Sequence, residues 1–125
     1  MATIQTAEIM KKLNARFLDE RGFTFEYFHE KGGDSACVYI CRFRKGKDYF
    51  DLREPSGRYE LNLMVYANGQ YFFPSLKALF PKEYRAFKWK HLFAKATIND
   101  HREWAAQMLE KEYSSDKTDF FGIKK

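Results

Sequence analysis

Arg42, Arg44, Asp51, Arg53, Glu60 and Asn62 lie in a stretch, Phe23 to Phe73, where apolar and polar residues alternate. Alternation marks half-buried strands, because successive side chains point to opposite faces of a sheet. Guanidinium and carboxylate groups sharing one face can pair with each other across strands, or they can hold a charged partner. Tyr49, Tyr66 and Tyr71 extend that face with rings that can stack on a base or bury against a protein. These nine residues form the candidate binding site.

Catalysis is a poorer use for them. Asp51 and Glu60 are the carboxylates at hand, and turn lengths place Arg42 across from Asp51 and Arg53 across from Glu60. An adjacent guanidinium lowers a carboxylate pKa, the wrong direction for a general acid. His29, His91 and His101 sit near a turn, within a helix and in a first helical turn, without a nucleophile context. The chain has no Gly-x-Ser-x-Gly elbow, no Gly-x-Gly-x-x-Gly, no Walker-type loop and no ligand spacing for a metal. No catalytic residue, metal or cofactor is assigned.

The elements that carry the face follow from turn chemistry. Strands are expected over 23–30, 35–44, 48–54, 59–67 and 70–73, joined at Lys31-Gly32-Gly33-Asp34, Gly46-Lys47, Pro55-Ser56-Gly57-Arg58 and Asn68-Gly69. The Gly46 loop pairs Phe43 with Phe50, Cys41 with Leu52 and Arg42 with Asp51. A four-residue loop after Glu54 then pairs Phe50 with Leu63, Leu52 with Leu61 and Asp51 with Asn62, with Arg44, Tyr49 and Met64 forming the next row. A three-residue Gly32-Gly33-Asp34 loop adds Phe23, Phe25 and Tyr27 to the apolar face, whereas a two-residue loop would turn them over.

Helical spacing of Ile9, Met10, Leu13 and Phe17 predicts a helix over 6–21, started by Thr6 and stopped by Gly22. Further helices are expected from Pro81 to about Ala94 and from Asn99 to Tyr113, the latter with Asp100 and Glu103 as a capping box. Lys82, Arg85, Lys88, Lys90 and Lys95 alternate with Tyr84, Phe87, Trp89 and Phe93, and Trp89 falls on a different side of its helix from Phe87 and His91. Core packing accounts for most of that helix. An electrostatic role is the other reading.

The expected architecture is α+β: an N-terminal helix, a five-stranded antiparallel meander sheet, and C-terminal helices packed on one sheet face. One domain spans 1–113, followed by a C-terminal tail, 114–125. In that tail Thr118-Asp119-Phe120-Phe121 resembles the end of a sliding-clamp-binding peptide. Ser114 and Lys117 stand where such peptides carry Gln and an aliphatic residue, so Phe120 and Phe121 are expected to fold back or dock on a neighbouring copy.

The chain has 125 residues, 18% aromatic, with a formal charge of +5 from 22 basic and 17 acidic residues. That balance permits nucleic-acid binding without requiring it. Cys37 and Cys41, four residues apart on a strand, sit about 13 Å from each other and cannot pair. Reduced thiols and the absence of a leader suggest a cytoplasmic protein. No apolar run approaches 18 residues, so no membrane partner is expected.

The expectation for function is a non-enzymatic binding module whose Arg/Tyr face meets another protein or a second copy. One alternative is single-stranded nucleic acid on the same face. The other is a small enzyme with a pocket between the sheet and the C-terminal helices, marked by polar groups converging near His29 or His91.

Overall fold

A computed structural model describes residues 2–31, 37–56 and 60–125. The whole Gly32-Gly33-Asp34 turn with Ser35 and Ala36, and Gly57 to Tyr59, lie outside the described residues.

The N-terminal helix is longer than expected and broken. Helix α1 spans Ala2–Leu13 and α2 spans Ala15–Asp19. Asn14 stands between them, and the Met10 carbonyl accepts both its backbone N–H at 3.1 Å and its side-chain amide at 2.9 Å. Thr6 does not cap: it is buried and accepts from Arg102 at 3.2 Å. Gly22, at φ +81°, ends the segment as expected.

Five strands form an antiparallel meander in sequence order: β1 (Thr24–Lys31), β2 (Cys37–Lys45), β3 (Asp48–Pro55), β4 (Asn62–Ala67) and β5 (Gln70–Phe72). The Gly46 hairpin sets Phe43 against Phe50, Cys41 against Leu52 and Arg42 against Asp51, as the turn predicts. The outer pairings are displaced. Phe50 faces Val65 rather than Leu63, Leu52 faces Leu63 rather than Leu61, and Asp51 faces Met64 rather than Asn62. Arg53 consequently faces Asn62 rather than Glu60, which precedes β4, and Tyr49 faces Tyr66, not Met64. On the other side Phe25 pairs with Phe43 and Tyr27 with Cys41. Both displacements are by two residues, because the two connecting loops are longer than the minimal turns. An even displacement keeps every side chain on its expected face.

The apolar face holds the core: Phe23, Cys41, Phe43, Phe50, Leu52, Leu63 and Val65 meet Met10, Phe17, Met108 and Leu109 from the helices. Phe17 lies at its centre, with its ring 5.1 Å from Phe50 and 5.3 Å from Phe120. After Pro74, Ser75 caps α3 (Leu76–Leu79), Pro81 opens α4 (Pro81–Lys90), and α5 runs Ile98–Tyr113. The capping box of α5 sits three residues earlier than expected: Thr97 is the cap and Asp100 its reciprocal partner. Helix α4 ends at Lys90 rather than near Ala94.

Two features stabilise this layer. Arg102 of α5 forms a bidentate pair with Glu54 of β3, at 2.6 and 3.0 Å, both residues being buried on the helix side of the sheet. The residues after Ser114 fold back: β6 (Asp119–Phe120) and β7 (Ile123–Lys124) make a hairpin, and Phe120 and Ile123 join the core. Phe120 is therefore withdrawn from any clamp-like pocket. Gly122, at φ +90°, closes the hairpin where an added Cβ would meet the Ala67 Cβ at 3.3 Å.

Candidate functional site

The second face of the sheet is built on a closed ionic lattice. Arg42 donates Nε to Asp51 Oδ1 at 2.8 Å and Nη2 to Oδ2 at 2.9 Å, a planar fork on a carboxylate that is 0% exposed. The fork with Asp51 holds the Arg42 guanidinium above its usual pKa. The same guanidinium lies 3.8 Å from the Tyr49 ring centre and 4.8 Å from that of Phe28, so two rings pack against it. Arg44 pairs with Glu26 at 3.2 Å and sits 4.9 Å from Tyr49. Arg53 reaches Glu30 at 3.9 Å.

Aromatic residues continue the lattice. Tyr49 stacks on Tyr66 at 5.2 Å, Tyr66 meets Tyr71 at 4.7 Å, and the Tyr49 and Tyr71 hydroxyls approach to 3.5 Å. Burial, then the bond with Tyr71, pushes the Tyr49 phenol up to about 12. Ile40, Tyr49 and Met64 are buried on this face yet stand apart from the main core. The face is a second thin packed layer rather than a set of solvated side chains.

The nine expected residues therefore divide. Arg42, Tyr49 and Asp51 are internal supports. Arg44, Arg53, Asn62, Tyr66 and Tyr71 are presented, with Tyr71 61% exposed. Glu60 and Asn62 stand at the far edge and do not join the Asp51 row. The residues missed in the sequence are Glu26, Phe28 and Glu30 of β1. Their parity opposite to Phe25 and Tyr27 was the available signal, since it put them on the face of Arg42 and Arg44.

A cleft lies between the sheet and the C-terminal helices. Strand β5 stops at Phe72, and the register would next place Pro74 against Leu63, where proline has no N–H to give. Beside this open edge of β4 is a cleft of about 440 Å³, lined among others by Arg53, Glu60, Lys77, Tyr84, His101 and Trp104. Burial, then the Lys77 charge, holds the His101 pKa below the usual imidazole value. The histidine in this cleft is thus His101, not His29 or His91. His29 is exposed on β1, and His91 lines a separate groove of about 420 Å³ between α4 and α5. Among the described residues no group of acidic, histidine or cysteine side chains could hold a metal ion.

No protein-family model, curated protein or solved structure matches the chain.

Proposed function

We propose that the chain is a non-enzymatic cytoplasmic module that binds protein through its Arg/Tyr sheet face, with a second copy of itself as the occupant. The observation that carries this reading is that Arg42, Arg44 and Arg53 each already hold a carboxylate on the same face. Three cations and three anions leave little net field for a polyanion. A surface of tyrosine and arginine held by packed ion pairs and ring contacts has the composition of an interface centre, and side chains already fixed lose less entropy on association. Rows of alternating sign are also self-complementary under a two-fold axis, where one copy's arginine can meet the other's glutamate. A reducing compartment suits the unpaired Cys37 and Cys41.

The test is the solution mass. Sedimentation equilibrium should give a value near twice the 14.9 kDa of one chain, returning to one chain in Tyr71→Asp. A clean monomer at high concentration would remove the self-association reading. The nucleic-acid alternative predicts retention on a single-stranded oligonucleotide that falls with salt and in Arg44→Ala/Arg53→Ala, the arginines the face presents.

The enzyme alternative has one favouring observation, an imidazole biased to its neutral form in a cleft with Glu60 and Lys77. NMR screening of small polar ligands would support it through shifts centred on His101. Shifts elsewhere, or none, would set it aside.

A further inference from the structure

One segment holds the whole formal charge of the chain. Between Lys77 and Lys95 lie six of the 22 basic residues and one of the 17 acidic ones, so the remainder balances at sixteen of each. The single acid, Glu83, is engaged by Lys111 at 2.7 Å. Lys82, Arg85, Lys88 and Lys90 are exposed, and among the described residues no salt bridge neutralises them.

The same segment carries the two most exposed large apolar side chains among the described residues, Phe93 at 98% and Trp89 at 76%, with Leu92 at 55%. The fold explains why they protrude. Helix α4 turns Tyr84 and Phe87 toward Trp104 of α5, at 5.5 and 5.8 Å. At 3.6 residues per turn, Lys82, Arg85 and Trp89 then share the opposite, outward side. The helix stops at Lys90, His91 turns back against Phe87 at 4.8 Å, and the chain puts Leu92 and Phe93 into solvent.

An apolar apex inside a collar of cations matches a partner that is anionic at its surface and apolar beneath. A lipid bilayer has that layering: headgroup phosphates attract lysine, while Trp, Phe and Leu favour the zone just below. Single-stranded nucleic acid fits less well, since Leu92 offers no stacking plane and the apex projects outward instead of forming a groove. We infer that the Lys77–Lys95 segment is a peripheral docking surface for bilayers with anionic headgroups, Trp89, Leu92 and Phe93 entering the interface and the flanking lysines holding lipid phosphates. No helix among the described residues is long and apolar enough to cross a membrane. The inferred contact lies at the bilayer surface and needs no crossing. The surface is separate from the sheet face and stands or falls independently of it.

Co-sedimentation of the full chain with phosphatidylcholine vesicles, with and without phosphatidylserine, tests this. Retention should require phosphatidylserine and fall with salt. Lys88→Gln and Lys90→Gln should each weaken it about fivefold. Trp89→Ser/Phe93→Ser, at positions too exposed to unfold the chain, should abolish it, while Lys47→Gln, the same loss of charge at the exposed Gly46 hairpin, should leave it nearly unchanged. The inference is overturned by absence of phosphatidylserine-dependent retention at low salt, by retention that survives the Trp89/Phe93 substitutions, or by an oligonucleotide that binds the same surface and displaces the vesicles.

Discussion

Replacing Asp51 by alanine tests the lattice at its most buried point. Asp51 is fully enclosed, and both its oxygens are taken by Arg42. Removing one partner of a buried ion pair costs about 3–5 kcal/mol, because the other charge is left without compensation. Here the stranded group is Arg42, whose side chain keeps 17% of its exposure and can recover some water. The low end applies, about 3 kcal/mol, or a fall in Tm of about 10 °C for a domain of this size. Urea unfolding followed by circular dichroism measures it, as a lower midpoint at unchanged slope. Arg42→Met should cost at least as much, since it leaves a sealed carboxylate. The double variant Arg42→Met/Asp51→Leu should recover most of the loss, giving a large coupling in the cycle. A loss below about 1 kcal/mol for Asp51→Ala would be the signature of an ordinary surface pair and would refute the account of this face as a packed layer.

Three other perturbations address the parts that hold the face in place. Arg102→Ala strands Glu54 in the core and should cost about 3–5 kcal/mol in the same unfolding assay, with Glu54→Met in addition restoring much of it. Phe120→Ala empties a fully buried site between Phe17 and Phe50 and should cost about 3–5 kcal/mol, showing that the last residues belong to the folded unit. The folded His101 pKa lies below its unfolded value, so the unfolded chain binds the proton more readily. Stability should therefore fall as pH drops from about 6.5 through the folded pKa, and pH-dependent unfolding of His101→Gln should show a flatter slope across that window.

The legible part of this protein was parity. Alternation assigned Phe50, Leu52 and Leu63 to one face and Arg42, Arg44 and Tyr66 to the other, and these assignments survive because both register shifts are even. The shifts themselves were not legible. A loop containing Gly-Gly or Ser-Gly can begin at several residues with no change in pattern, so the Arg53–Glu60 and Asp51–Asn62 pairings failed while Arg42–Asp51, set by the tight Gly46 hairpin, held. The partners of Arg44 and Arg53 are Glu26 and Glu30, which alternate with the aromatic side of β1, and which arginine each one meets depends on the β1–β2 register that the Gly-Gly loop leaves open. The His101 cleft arises where Pro74 ends the β4–β5 ladder beside α5, a juxtaposition of segments distant in sequence that local spacing does not encode. The break at Asn14 was hidden for the opposite reason: Met10 and Phe17 stay on one stripe whether or not the helix is continuous.

Amide chemical shifts followed through a dilution series test the central claim most directly. Self-association through the Arg/Tyr face predicts concentration-dependent shifts at Arg44, Arg53, Asn62, Tyr66 and Tyr71, with Trp89 and Phe93 unmoved. Spectra that do not change with concentration, or changes gathered on the helical side, would contradict it.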